Sequence, residues 1–179
     1  MKAVLISIQP KWCELIASGK KTIEVRKTRP KIETPFKVYI YMTATKERCR
    51  FWEYITAYQN SKGDILNGSQ KVIGEFVCDD IIVDERGENA DVFSKYAQLS
   101  LVEQKKYGAN KPLFGWHISK LKIYYKPKEL GEFRKEGFMT EEQWLYALYP
   151  NTHCHYAAWA KRFEITRPPQ SWCYVEELL

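Results

Sequence analysis

A stretch of mixed charge at residues 18–30, "SGKKTIEVRKTRP", holds the side chains with the clearest chemical potential. In an extended strand, Glu24 and Arg26 lie on one face, about 6.5–7 Å apart. Lys21 has the opposite parity, but it follows Gly19 at a turn, where a bulge or twist can rotate it to the same face. Arginine offers a planar fork for phosphate or a base edge, and a desolvated lysine is a cation or a base. Glu24 can accept from a base amine, hold the two cations in place, or act as a general base.

Two interpretations of these charges are open. They form either ion pairs on a solvated strand face, each contributing under about 1 kcal/mol, or the wall of a ligand cleft. Residues 1–50 hold twelve Lys or Arg and four Glu, a sum of +8, whereas residues 51–179 hold sixteen basic and eighteen acidic side chains, a sum of −2. Such a local cationic field favours nucleic acid, nucleotides or phosphate. We expect Lys27, Arg29 and Lys31 to add salt-dependent attraction to a nucleic-acid backbone.

A second group of candidate binding residues follows Pro168-Pro169 near the C-terminal end of the sequence. The two prolines make a stiff turn that can present Trp172 to a base, and such stacking contributes about 1–3 kcal/mol. Gln170 and Ser171 can add polar readout of a base edge. The alternative for Trp172 is packing in the core or at its rim.

Two other tryptophans fit the core better. Packing is the favoured interpretation of Trp116, and Trp12 shares an apolar helical stripe with Leu15 and Ile16, at spacings i, i+3 and i+4.

No cofactor or metal is predicted. His153, Cys154 and His155 lie close together in "NTHCHY", but no second ligand pair follows at a recognisable spacing, so their role stays open. The sequence has no P-loop, GxGxxG or HExxH motif, which removes the common nucleotide-hydrolase, dehydrogenase and zinc-protease classes.

The cellular setting is predicted from cysteines and hydropathy. The five cysteines are scattered, and none lies in a CxxC motif, which suits a reducing compartment. The N-terminal apolar run is short, and no stretch approaches the length of a transmembrane helix. We therefore expect a cytoplasmic protein without membrane association.

The elements that must position these residues follow from apolar periodicity and turn residues. The pattern predicts strands at 3–9, 21–27, 36–44, 71–84, 113–125 and 161–169, and helices at 10–18, within 90–108 and at 140–149. Residues 45–70 have a less clear pattern and are interpreted as an insertion, which is a possible contact surface for a protein partner. The prediction is one α+β domain over residues 1–179, a mostly antiparallel curved sheet or barrel with short peripheral helices.

Four stretches of the sequence resemble parts of the ASCH (ASC-1 homology) domain. "GKKTIEVR" fits the GxKxxxxR signature at Gly19, Lys21 and Arg26, and the preceding "LISIQPKWCELIASG" is similar to that family's opening. "GWHISKLKIY" and "ITRPPQSWCYVEE" resemble the middle and the end of a bacterial and phage-borne branch. The resemblance implies a PUA-like β-barrel, a cleft near the signature, and binding of RNA or modified nucleosides.

The same resemblance implies an alternative, hydrolysis of RNA or of a modified nucleoside. One ASCH branch hydrolyses N4-acetylcytidine with a Lys, a Thr and a Glu, and its Lys matches Lys21. Its Thr position corresponds to Glu24 here, so the nucleophilic hydroxyl is missing. A carboxylate at this position can still act as a general base toward water or a 2′-OH. The alternative is therefore an amidohydrolase-like or ribonuclease-like enzyme that uses Lys21 and Glu24.

Overall fold

The computed structural model describes residues 1–44, 58–59, 65–66, 70–109, 111–147 and 153–178. Within these ranges the strands are β1 Lys2–Ile8, β2 Ile23–Arg26, β3 Phe36–Met42, β4 Tyr58–Gln59, β5 Ile65–Leu66, β6 Val72–Cys78, β7 Ile81–Asp84, β8 Leu113–His117, β9 Ser119–Lys128 and β10 Trp172–Glu176. The α-helices are α1 Pro10–Ala17, α2 Ala90–Tyr96, α3 Leu101–Gly108, α4 Glu141–Ala147 and α5 His153–Ala160, with 3-10 turns at Leu130–Glu132 and Lys161–Phe163. Short helices therefore surround strands, which confirms the α+β class.

The largest sheet has five strands in the order β10-β1-β3-β6-β9. Strands β1 and β3 are parallel, and the other neighbouring pairs are antiparallel. Strand β1 contributes apolar side chains to both faces of this sheet, because successive side chains point to opposite faces along a strand. Val4 and Ile6 belong to one core cluster, whereas Ala3 and Leu5 belong to a second. This interior strand is therefore buried on both sides.

A smaller sheet, in the order β2-β8-β7, carries the charged signature strand. Gly115 of β8 lies opposite Val25 of β2. A Cβ at this position would lie 2.6 Å from the Phe93 ring and 2.8 Å from the Ile23 side chain. Glycine therefore allows β2, β8 and α2 to approach closely and to fix the position of β2.

The expected barrel is not found, because the described strands form separate sheets. The hydrogen-bond ladder changes partner at the junction of β8 and β9. His117 N–H donates to the Asp80 carbonyl and Ile118 N–H to the Thr22 carbonyl, each at 2.9 Å. These bonds keep β8 in the small sheet, while β9 pairs with β6 of the large sheet. Within the described residues the large sheet is mixed, the small sheet is antiparallel, and the two do not close into a barrel.

Other predicted strands also differ from the structure. The expected strands at 71–84 and 113–125 are each divided into two, and the division of the second falls at Ile118 rather than Gly115. The predicted strand at 161–169 is wrong, since only Glu164 forms an isolated bridge, with Arg134. Pro168 and Pro169 have no N–H to donate, so the C-terminal strand begins after them and pairs with β1.

Most of the predicted insertion at 45–70 lies outside the described residues; the short strands β4 and β5, which form a two-stranded sheet, lie inside it. In the described part of the chain, no helix has the length and apolar character needed to cross a bilayer.

Candidate functional site

A cleft of about 920 Å³ lies where β1, β2, α1, α3 and the segment before β10 meet. Its lining includes Lys21, Glu24 and Arg26. The exposed fractions of these three residues are only 2%, 5% and 8%, respectively. We call them the charged triad. The interpretation as ion pairs on a solvated face is wrong for these residues, because burial removes them from bulk water.

Lys21 reaches the triad from the turn between α1 and β2. Gly19 has φ +73°, in the left-handed region that favours glycine, and Lys21 N–H donates to the Leu15 carbonyl at 2.9 Å. The ammonium then donates to the Ala97 carbonyl at 2.7 Å, at the C-terminal end of α2. A cation is favourable there because the helix exposes unpaired carbonyls and the negative end of its dipole.

Glu24 links the two cations. Its Oε2 lies 3.4 Å from Lys21 Nζ, and its Oε1 lies 3.0 Å from Arg26 Nη2. Glu24 and Arg26 therefore share a face of β2, as strand parity predicts. The opposite face carries Ile23 and Val25 into a separate apolar cluster. Alternation along this strand thus divides a core face from a charged face.

Arg26 also contacts strand β1 of the large sheet. Its Nη2 donates to the Ser7 carbonyl at 2.6 Å. Its buried Nε has no hydrogen-bond acceptor among the described residues. With Lys21 protonated, two cations share one carboxylate, so the triad carries one unbalanced positive charge beside the cleft.

Burial lowers the pKa of the Lys21 ammonium from its usual 10.5. Glu24 opposes this shift through charge and hydrogen bonding, and the positive charge of Arg26 reinforces it. A desolvated lysine that lines a cleft, with a carboxylate beside it, is typical of functional sites. The neutral form of Lys21 is therefore more accessible than that of an exposed lysine.

Aromatic rings form another part of the cleft. Trp12 lies under two cations, with ring-centroid distances of 4.3 Å to Lys11 Nζ and 5.0 Å to Lys21 Nζ. Its assignment to the core is incomplete, because it packs against the core cluster and also lines the cleft. Lys27 Nζ lies 4.8 Å from the centroid of the Tyr107 ring, on α3. Both rings present π-faces beside cations.

Tyr107 lies near the triad, and burial raises the pKa of its phenol. The nearby Arg26 acts in the opposite direction, and Glu24 reinforces the rise. Sequence reasoning missed Tyr107, Lys106 and Ser7 as cleft residues. For Tyr107 and Lys106, the one signal in the sequence is the "KKY" run at the end of α3. For Ser7 there is no signal, because nothing in the sequence links β1 to the charged strand.

The remaining predicted site residues do not all line the cleft. Lys27 and Gln170 line the cleft, whereas Arg29 lines an adjacent groove that shares Lys27. Ser171 and Trp172 are not among the cleft-lining residues. The Trp172 ring packs 6.0 Å from Trp116 and 5.3 Å from Tyr174, centroid to centroid. Its Nε1 donates to Thr28 Oγ1 at 3.0 Å.

The histidine cluster of "NTHCHY" falls largely outside the described side chains. His155 is exposed at the start of α5, and nothing is described of the side chains of His153 and Cys154. Among the described residues, no group of three or more His, Cys, Asp or Glu side chains has an arrangement that could hold a metal ion.

The chain belongs to the ASCH domain family, whose sequence model matches residues 6–166. An ASCH protein from Zymomonas mobilis has a similar structure, with 18% sequence identity and a TM-score of 0.52 over 98% of this chain and 88% of that one. A variant of the Zymomonas protein with tyrosine replaced by phenylalanine gives a TM-score of 0.48 at 18% identity, over 99% of this chain and 92% of that one. No curated protein matches the chain. The likeness to the first of these structures concerns the fold alone, an α+β arrangement.

Proposed function

We propose that the chain binds RNA or a nucleotide-like ligand in the cleft beside the charged triad. The observation that carries the proposal is the unbalanced positive charge of Lys21, Glu24 and Arg26, buried next to a cleft of about 920 Å³. An anionic or carbonyl group of a ligand would balance this charge. Membership of a family associated with RNA binding supports the same proposal.

In this proposal, Lys21 and Arg26 contact phosphate or a base edge, and Glu24 holds the two cations or accepts from a base amine. The Arg26 Nε is buried and has no acceptor in the described part of the chain, and in this proposal a ligand oxygen accepts from it. Trp12 and Tyr107 offer ring faces on which a base can stack. Gln170, which also lines the cleft, can contact a polar base edge.

The test is binding of fluorescently labelled single-stranded RNA at increasing salt by wild type and by Lys21→Ala with Arg26→Ala. Both side chains are buried, so thermal unfolding must establish that the double variant folds. Lys106→Glu reverses an exposed charge at the cleft without touching the triad, and Lys161→Glu is its charge-matched control outside the cleft. We expect Lys106→Glu to weaken binding and Lys161→Glu to leave it unchanged. Absence of wild-type binding at low salt would contradict the proposal, as would binding unchanged in the double variant.

A second candidate function is hydrolysis of RNA or of a modified nucleoside. The lowered pKa of Lys21 favours it, because a neutral amine beside a carboxylate can take part in proton transfer. Glu24 is engaged by both cations, which leaves it less available as a base. Purified protein should therefore be assayed with acetylated and other modified cytidines and with short RNAs. Turnover abolished by a Glu24→Gln variant that thermal unfolding shows to be folded, and retained by Glu85→Gln at an exposed position outside both the cleft and the adjacent groove, would establish an enzyme; no turnover with any substrate would count against one.

Three further proposals accompany this function: a single domain over residues 1–179, a protein partner that contacts the 45–70 insertion, and a cytoplasmic location. Deleting the insertion while RNA binding is retained would separate a partner-binding role from the cleft.

A further inference from the structure

A second groove, of about 980 Å³, adjoins the cleft and shares Lys27 with it. One side of this groove is the segment 27–34, which we call the basic loop. Its three cations, Lys27, Arg29 and Lys31, are exposed. Neither Arg29 nor Lys31 has an acidic partner within the described part of the chain. These charges are therefore available to a ligand.

The other lining residues suit a nucleotide. Half-buried Phe114 and Ile81 add apolar surface for a base or a ribose. Two carboxylates, Glu33 and Asp80, also line the groove, and Asp80 Oδ1 is occupied by the Ile81 N–H at 2.8 Å. The groove thus keeps a net positive charge, concentrated on the basic loop.

The basic loop is held in place by β10, which comes from the far end of the sequence. Lys31 N–H donates to the Tyr174 hydroxyl at 2.6 Å, and Trp172 Nε1 donates to Thr28 Oγ1 at 3.0 Å. Pro30 is buried between these two attachments. The loop backbone is therefore fixed without a ligand, which lowers the ordering cost when one binds.

We propose that the basic loop is a second phosphate subsite, and that the ligand is accordingly an RNA strand rather than a free nucleotide. The strand runs from the cleft over Lys27 into the groove, where Arg29 and Lys31 contact its phosphates. Thr28 and Tyr174 are positioning residues that hold the loop. This inference rests on the proposed function of the cleft.

The experiment compares hexauridylate with uridine monophosphate as ligands of the full chain. For a single strand, each neutralised phosphate adds about 0.7 to the slope of log affinity against log salt, so two contacts, taken as ineffective at about 1 M salt, make the hexamer roughly 25-fold tighter at about 0.1 M salt. Arg29→Ala with Lys31→Ala should remove that advantage and lower the salt slope by about 1.4. Monophosphate affinity should not change. Lys122→Ala with Lys161→Ala is the control: it removes two exposed charges outside the cleft and the groove, and it should change the affinity for neither ligand.

The outcomes separate the two proposals. Equal wild-type affinity for the hexamer and the monophosphate overturns the second subsite and leaves the cleft proposal standing. Unchanged hexamer binding in Arg29→Ala with Lys31→Ala overturns the subsite as well. If neither ligand binds wild type, both proposals fail.

The positioning role of Thr28 and Tyr174 is tested by separate substitutions, with the affinities for the hexamer and the monophosphate as the measurement. Thr28→Val and Tyr174→Phe remove one hydrogen-bonding oxygen each and keep every loop charge. Each should weaken the hexamer about fivefold, the effect of roughly 1 kcal/mol, without changing monophosphate affinity. Thr28→Ser, which keeps the hydroxyl, should restore wild-type binding. If the ratio of the two affinities is the same in all these variants, the hydrogen bonds do not position the subsite.

Discussion

Two neighbouring groups of charges behave differently in this fold. Lys21, Glu24 and Arg26 are buried, share hydrogen bonds and ion pairs, and lie against helix α2 and strand β1. The basic loop follows directly in the chain, yet its cations are exposed. The same residue types therefore have different energetic consequences: a buried charge depends on its partner, whereas an exposed charge acts over distance and is screened by salt.

The largest difference in the free energy of unfolding is expected when a glutamate is replaced by glutamine in the charged triad and, separately, in the basic loop. Glu24→Gln leaves two buried cations without their carboxylate and should lower the free energy of unfolding by about 3–5 kcal/mol. Glu33→Gln changes an exposed carboxylate of the basic loop and should stay within about 0.5 kcal/mol. Urea denaturation of both variants measures the difference. Equal effects would show that the triad is not a buried network.

Lys21→Met should have a smaller effect than Glu24→Gln, because Glu24 and Arg26 still form a neutral pair. The Ala97 carbonyl loses its donor, which costs about 1–3 kcal/mol. Thermal and urea unfolding of this variant, with Lys20→Met as the exposed control, measure the cost. A destabilisation as large as that of Glu24→Gln would contradict the shared-carboxylate arrangement.

The same variant tests the pKa of Lys21. Because burial lowers that pKa below 10.5, the unfolded chain binds more protons at this side chain between the two pKa values. Wild type should therefore gain stability relative to Lys21→Met as the pH rises toward 10.5. Tyr107 and Cys78, whose pKa values are raised, shift stability in the opposite direction in both proteins and cancel in the difference. A difference that does not change with pH would place Lys21 in a solvated environment.

The smallest effect is expected from the basic loop itself. Arg29→Ala should change the free energy of unfolding by no more than about 0.5 kcal/mol, because no ion pair to Arg29 is found in the described chain. A loss of several kcal/mol in urea unfolding would mean that this loop is structural rather than a ligand surface.

The local arrangement of the charged triad can be predicted from the sequence. Alternation in β2, the glycine after α1 and the spacing of the signature place Glu24 and Arg26 together and bring Lys21 to a turn. The α+β class and the ASCH family also follow from local patterns. Burial of the triad does not, because it depends on Ser7 and Ala97, which the fold brings in from β1 and from the C-terminal end of α2.

The predictions that fail depend on contacts between residues far apart in the sequence. The barrel prediction fails because one change of hydrogen-bond partner, at Ile118, separates the two sheets. Trp172 has strong stacking chemistry, yet its indole N–H bonds to Thr28 and its ring packs on Trp116. No spacing rule in the sequence links β10 to the basic loop.

Binding of RNA in the cleft can be tested by locating the bound strand on the protein. A hexanucleotide carrying thiouridine would be photo-crosslinked to the protein, and the modified peptides identified by mass spectrometry. If RNA binds in the cleft, crosslinks fall on cleft-lining aromatic residues, Trp12, Tyr41 or Tyr107, and excess uridine monophosphate suppresses them. Crosslinks confined to exposed tyrosines away from the cleft, such as Tyr125 on β9, would contradict binding in the cleft.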